Sequence, residues 1–274
     1  MRPLGHGGWL ATHAIRIDDG AGRRHRLVLR RWARPGWAGD DPTFYASTEA
    51  AVLDRLAVVA PDLPAPRLVA VDPDGRTAGT PALLLTHLPG RPPSAAAIGW
   101  DAVIHQLVDW LILIHALDGP LERITPGYRS YSSHDELGPP AGSGRPELWA
   151  RAVDLARQAP PTARARFLHR DYHPGNTLWQ AGRLTGIVDW TGASWGPPAA
   201  DLAHLRGSLA IGPGMQAADR AERLYGEAGG STDHQRWWDV RTVLDYVPDL
   251  SAEAATSDGL ARLEAYLESI LQET

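Results

Sequence analysis

The sequence contains no cysteine, no lysine, only two phenylalanines and two methionines, and no apolar stretch of membrane-spanning length. The absence of cysteine excludes a disulfide framework, a thiolate metal site and a cysteine nucleophile. It fits a reducing compartment, and a cytoplasmic protein is expected. The absence of lysine leaves arginine as the only permanent side-chain cation, so contacts to phosphate must come from guanidinium, imidazole or backbone N–H groups. A membrane helix needs about 20 consecutive apolar residues, and no such window exists. The opening Met1-Arg2-Pro3-Leu4-Gly5 lacks the apolar core of a signal peptide. The net charge of −5 argues against a nucleic-acid partner, which would call for a concentrated basic surface.

What remains is 274 residues, 43% hydrophobic and 22% charged, the composition of a globular chain with one large or two modest domains. Residues 9–17 alternate around Ile15 and Ile17. Asp18-Asp19-Gly20-Ala21-Gly22 then punctuates the chain before Arg26 to Trp32, which together read as a β-hairpin. Thr48 to Val59 has helical spacing, with Ala51, Leu53 and Leu56 on the apolar side and Glu49 in the first turn; Pro61, Pro64 and Pro66 end it. Arg67–Val71 and Ala82–Leu85 read as strands. Pro89-Gly90-Arg91-Pro92-Pro93 marks a boundary. Beyond it Trp100–Leu117 is a core helix, residues 119–146 a long surface loop, and Glu147–Gln158 a helix. Short strands are expected at Thr177–Trp179 and Gly186–Val188. From Pro198 onward the chain reads as helical, broken at Gly212-Pro213-Gly214 and Gly229-Gly230. Strands followed by helices predict an α+β fold with two lobes.

The chemistry is concentrated in His169-Arg170-Asp171-Tyr172-His173-Pro174-Gly175-Asn176, followed after thirteen residues by Asp189 in Ile187-Val188-Asp189-Trp190. Phosphoryl transfer needs a carboxylate to orient the attacking hydroxyl and take its proton, and oxygen ligands for Mg²⁺. By residue type, Asp171 is the candidate base and Asn176 and Asp189 are the candidate metal ligands. The Pro174-Gly175 turn can return the Asn176 side chain toward Asp171.

This spacing resembles the catalytic and metal loops of the protein-kinase-like superfamily. The Asp-x-His-Pro-Gly-Asn wording, the Ile-Val-Asp-Trp version of the metal loop and the later Asp201-Leu202-Ala203 resemble the aminoglycoside phosphotransferase family, over roughly residues 3–210. The resemblance implies a protein-kinase-like α+β fold: a small β-rich nucleotide-binding lobe over residues 1–88, and a larger, mainly helical catalytic and acceptor-binding lobe over residues 89–274. It implies ATP or GTP as phosphoryl donor, Mg²⁺, and a small-molecule hydroxyl acceptor, an aminoglycoside-like antibiotic or another metabolite, cationic acceptors included. Arg30 would face the α/β-phosphates and Glu49 would pair with it. Val28, two residues before Arg30, would face the nucleobase. Leu84 to Leu88, with Thr86 and Leu88, would form the nucleobase hinge, and Gly5-His6-Gly7-Gly8 the phosphate-covering loop. Arg30 stands where protein kinases carry lysine, and Leu10-Ala11 where the family often has Ser-Asn. The alternative is a non-catalytic nucleotide-binding pseudokinase module, whose mark would be a lost base or metal ligand. A protein kinase is disfavoured by the missing Asp-Phe-Gly and Ala-Pro-Glu elements.

Other polar residues carry plainer expectations. His169 and His115 read as structural histidines. Asp201 reads as a brace at the start of its helix that also holds the catalytic loop, and His173 divides between loop packing and the site. Trp237 and Trp238 read as core. Asp239, Asp245, Asp249, Glu253 and Asp258 read mostly as solvated helix faces, with one or two available to a cationic acceptor.

Overall fold

The computed structural model of the chain describes residues 2–7, 10–33, 41–93, 99–117, 119–247 and 257–272. They fall into two compact units: Met1–Pro92, Leu117–Pro126 and Gly175–Ser194 form the first, and Pro93–Ala116, Gly127–Pro174 and Trp195–Thr274 the second.

The first unit is built on a five-stranded antiparallel sheet. Its strands are β1 (Arg2–Gly7), β2 (Leu10–Asp18), β3 (Arg24–Trp32), β4 (Leu68–Asp72) and β5 (Ala82–Thr86), in the order β1-β2-β3-β5-β4. The expected hairpin is β2–β3, in register from Leu10 opposite Trp32 to Asp18 opposite Arg24. Its turn closes through Asp19, whose Oδ1 accepts the N–H groups of Ala21 and Arg23 at 3.0 and 2.9 Å. Gly5-His6-Gly7, expected in a loop, instead extends β1 and pairs with Thr12, Ala11 and Leu10; Gly8 lies outside the described residues. The turn propensity of glycine is overridden here by the hydrogen-bonding edge that β2 offers.

Helix α1 (Ala46–Val59) buries Ala50, Val52, Leu53 and Leu56. Ala51, expected on the apolar side, is exposed, and Val52 takes the inward position. Burying such a side chain stabilises by roughly 1.5–3 kcal/mol, which anchors α1 and brings Glu49, 1% exposed, inside with it. Strands β6 (Thr177–Gln180) and β7 (Arg183–Ile187) form a hairpin in the same unit. The Pro89–Pro93 segment is tied to it: Arg91 N–H donates to the Trp179 carbonyl at 3.2 Å, and Trp179 N–H returns to that of Arg91 at 2.8 Å. Gly90, at φ +116°, allows this approach, since a Cβ there would lie 2.8 Å from the Trp179 nitrogen.

The second unit is helical. Among its described residues are α2 (Trp100–Ala116), α3 (Pro146–Ala156), α4 (Pro198–Ile211), α5 (Met215–Glu227), α6 (Gln235–Asp245) and α7 (Ser257–Gln272). Helix α4 is buried almost all round and packs against α5, α6 and α7. Trp237 and Trp238 are core residues, edge to face with ring centroids 4.6 Å apart. The sheet-bearing unit and the helical unit together give the expected α+β fold class.

Two further expectations are corrected. The stretch 119–146 is not purely a surface loop, because Leu121, Thr125, Ser132 and Leu137 are buried. Asp239 and Asp245 are not solvated: both are buried, Asp239 against Arg206 and Asp245 against Arg241 at 3.1 Å. Asp258 is exposed, and Asp249 and Glu253 lie outside the described residues.

Candidate active site

In the first unit, β3 presents Arg30 to α1 and to the turn after β7. The guanidinium is buried, and its planar fork serves three acceptors. Nη1 donates to Glu49 Oε1 at 2.8 Å; Nη2 donates to Asp189 Oδ1 at 2.7 Å and to Thr191 Oγ1 at 2.8 Å. The Thr191 hydroxyl completes the cluster: it lies 2.9 Å from both Glu49 Oε2 and Asp189 Oδ1 and has its one proton to share between them. Burial raises the Glu49 carboxyl to about 6, more than the attraction of Arg30 lowers it, and the Asp189 charge adds to the rise. Burial alone would lower the Arg30 pKa, but Asp189 and Glu49 outweigh it and the guanidinium is held more firmly protonated.

Asp189 adopts a left-handed conformation, φ +66°. For a non-glycine residue such backbone costs about 1–3 kcal/mol and persists where the surroundings enforce it. The Arg30 and Thr191 contacts are that enforcement, and they fix where the carboxylate points. Its neighbour Val188 is held by an N–H bond to the Asn176 carbonyl at 2.9 Å.

A cavity of about 1060 Å³ opens in this unit. Of the residues singled out from the sequence, Val28, Arg30, Thr86, Leu88, Asn176 and Asp189 all line it. Glu49 is not a wall residue and stands behind Arg30. The Arg30 Nε is buried with no hydrogen-bond partner among the described residues. Thr191, absent from the sequence reading, is the polar hub of the cluster. No motif marks it.

Asp171 belongs to the second unit, where three histidines and a buried aspartate shape its loop. His173 Nε2 and His204 Nδ1 lie 3.6 and 3.4 Å from Asp171 Oδ1. Burial on its own would raise the Asp171 carboxyl. The His173 and His204 imidazoles outweigh it and hold the group well below the ordinary carboxylate range. His173 therefore faces the carboxylate. His204 was not singled out from the sequence; it stands on α4, three residues past Asp201.

Asp201 forms no side-chain cap on its own helix. Its carboxylate instead accepts the N–H groups of His169 at 2.8 Å and Arg170 at 2.6 Å, and meets His115 Nε2 at 3.2 Å. His115 Nδ1 in turn lies 2.7 Å from the Tyr225 hydroxyl, so this core histidine is satisfied on both nitrogens. The brace holds Arg170 at φ +72°, with its guanidinium 4.4 Å from the Tyr131 ring centroid. The Tyr131 segment is pinned by Asp245, which accepts the Ser132 N–H at 2.9 Å and the Tyr131 N–H at 3.4 Å. Asp239 and Asp245 are thus engaged inside the unit and are not open carboxylates for a cationic ligand.

Asp201→Ala would leave two buried N–H groups without their acceptor. We expect a loss of stability on the order of 3 kcal/mol, read as a lower urea midpoint at unchanged m-value. An unshifted midpoint would show that the loop does not depend on this carboxylate.

The family described as the phosphotransferase enzyme family matches residues 2–240 of the chain. Among solved structures, the chain is similar to a thermostable mutant of aminoglycoside phosphotransferase APH(4)-Ia in ternary complex with ADP and hygromycin B. That match has 17% identity and a TM-score of 0.65, and covers 97% of this chain and 92% of the other. It is similar to the GDP complex of a mutant aminoglycoside 2'-phosphotransferase-IIIa, at 17% identity and a TM-score of 0.67, covering 98% and 90%. It is also similar to the macrolide 2'-phosphotransferase MphH from Brachybacterium faecium, at 22% identity and a TM-score of 0.57, covering 98% and 93%. No curated protein matches the chain. At these identities the structures establish the kinase-like fold.

Proposed function

The chain belongs to the phosphotransferase enzyme family, and on that premise we propose that it is a cytoplasmic small-molecule kinase. In this reading it transfers the γ-phosphoryl of ATP or GTP to a hydroxyl of an amino sugar, a macrolide or another small alcohol. The observation that carries the proposal is a cavity that Arg30, Asn176 and Asp189 line together with Val28, Thr86 and Leu88. It offers a cation and hard oxygen donors beside apolar and backbone groups, the combination a purine nucleotide needs.

Arg30 supplies positive charge to the phosphates from the cavity wall, with its geometry fixed by Glu49 and Thr191. Asn176 and Asp189 supply one amide and one carboxylate oxygen, a donor set that suits Mg²⁺, which takes few protein ligands and fills its shell with phosphate oxygens and water. Bound there, Mg²⁺ would neutralise charge on the phosphates. Asp171, kept ionised by its two imidazoles, orients the acceptor hydroxyl and accepts its proton as the new oxygen–phosphorus bond forms and the nucleoside diphosphate leaves. Catalysis then rests on positioning and on charge already in place.

Arg30→Ala is expected to raise the nucleotide KM and lower kcat/KM by about 10- to 100-fold, the loss of one or two charge-assisted hydrogen bonds. Steady-state kinetics at varied nucleotide measures this, and unaltered values would remove Arg30 from the phosphate site. The proposal as a whole is tested by incubating the purified protein with Mg²⁺, ATP or GTP, and a panel of aminoglycosides, macrolides, nucleosides and amino alcohols. Acceptor-dependent release of nucleoside diphosphate supports it. Tight Mg²⁺-nucleotide binding with no release for any acceptor would favour a binding module instead.

A further inference from the structure

We propose that His204 is a positioning residue for phosphoryl transfer, clamping one oxygen of Asp171 jointly with His173 so that the carboxylate stays oriented. The inference rests on the reading of Asp171 as the base.

Two imidazoles from different segments converge on the same atom, Asp171 Oδ1: His173 from the catalytic loop at 3.6 Å and His204 from α4 at 3.4 Å. Their surroundings differ. The His173 side chain is 30% exposed and that of His204 only 9%. A half-open imidazole can swing with its loop, whereas a buried one on a packed helix holds its place. His204 sits on α4, the helix whose Asp201 already holds the His169 and Arg170 amides. The same helix therefore fixes both the backbone that carries Asp171 and one face of its side chain.

The His204 ring is held from two further sides. The Tyr246 ring meets it edge-on at 5.4 Å, and the Tyr246 hydroxyl donates to the His204 carbonyl at 3.2 Å. The Tyr131 ring tilts against it at 5.7 Å, with the Arg170 guanidinium 4.4 Å from that same ring. Burial raises the Tyr246 phenol, and the Asp171 charge raises it further, so it carries no charge near neutral pH. The charged and titratable groups facing the cluster are Asp171, Arg170, His173, Tyr131 and Asp245, the last already bound to Arg241 at 3.1 Å. His204 Nδ1 is buried and makes no hydrogen bond among the described residues; Asp171 Oδ1 lies 3.4 Å from it, close enough for the pair to tighten into one when substrate binds.

Removing the imidazole takes away a group that favours the ionised carboxylate, while burial, which opposes ionisation, remains. The Asp171 pKa is then expected to rise, and the part of the acidic limb of kcat below the Glu49 titration at about 6 to move to higher pH.

The test compares pH profiles of kcat and nucleotide KM for wild type, His204→Leu, His204→Asn and Asp171→Asn, with the acceptor found in the panel above. His204→Leu is expected to lower kcat roughly ten- to a hundredfold, shift the acidic limb upward and leave nucleotide KM unchanged. His204→Asn, which keeps a donor near the Nδ1 position, is expected to recover kcat above the limb while the limb stays displaced. A side chain that merely fills space would give both variants equal losses with the limb in its wild-type place, and that result overturns the proposal. Should His204→Leu fail to fold, His204→Asn alone decides, through the position of its limb. Near-normal kcat in Asp171→Asn would instead reject the base itself, an outcome distinct from an unmoved limb alongside an inactive Asp171→Asn.

Discussion

Asp171→Asn is expected to reduce kcat by about 10²- to 10⁴-fold, the usual contribution of a positioned base, while Mg²⁺-nucleotide affinity stays near the wild-type value. The substitution is isosteric, so the loop geometry set by Asp201 is retained. What it removes is the proton acceptor and the negative charge between His173 and His204. Those imidazoles hold the carboxyl well below the ordinary range, so the wild-type base is fully ionised at neutral pH. A low pKa makes Asp171 a weak base in the ground state, and its value lies in orienting the hydroxyl and taking the proton late, as phosphoryl transfer requires. A kcat within a factor of a few of wild type would show that another group takes the proton. Isothermal titration with a non-hydrolysable nucleotide separates binding from chemistry.

The second large effect belongs to Asp189→Ala. Asp189 lines the cavity and also accepts from Arg30 Nη2 at 2.7 Å. Its removal takes away a proposed metal ligand and one of the two carboxylates that neutralise Arg30. Mg²⁺-nucleotide affinity is expected to fall by about 10²-fold, the loss of one direct ligand to the metal. Nucleotide affinity without Mg²⁺ should change far less, because Arg30 remains held by Glu49 at 2.8 Å and is freed from its second carboxylate. Equal losses with and without Mg²⁺ would place Asp189 in a structural role. Thr191→Val supplies the complementary control, since it breaks the hub that joins Glu49 and Asp189 without touching either carboxylate.

Much of this arrangement is legible in the sequence because it is local. The β2–β3 hairpin follows from alternation and an Asp/Gly turn, and α1 and α2 from helical periodicity. Asp171, Asn176 and Asp189 stand within one short stretch of chain, so their spacing could be read directly. The contacts that the sequence hides join distant positions. Thr191 reaches Glu49 across 142 positions, and Asp245 reaches Ser132 across 113. Neither residue type nor spacing announces such pairs. The late acidic residues mislead for a related reason. Asp239 and Asp245 look like surface charges until Arg206 and Arg241 are found inside the helical unit to receive them. Gly5 to Gly7 mislead in the opposite sense, since a cluster that signals a turn is recruited as a strand by the edge of β2.

The central claim is that the γ-phosphoryl group moves from nucleotide to an acceptor hydroxyl in a reaction that needs Asp171. The most direct measurement uses a nucleotide isotopically labelled in its γ-phosphoryl oxygens, Mg²⁺ and each acceptor of the panel, with products read by mass spectrometry for wild type and Asp171→Asn. The account predicts a labelled phosphate ester on one acceptor class, formed by the wild type alone. Label found only in inorganic phosphate, or a nucleotide that binds with Mg²⁺ and is returned intact with every acceptor, would contradict it.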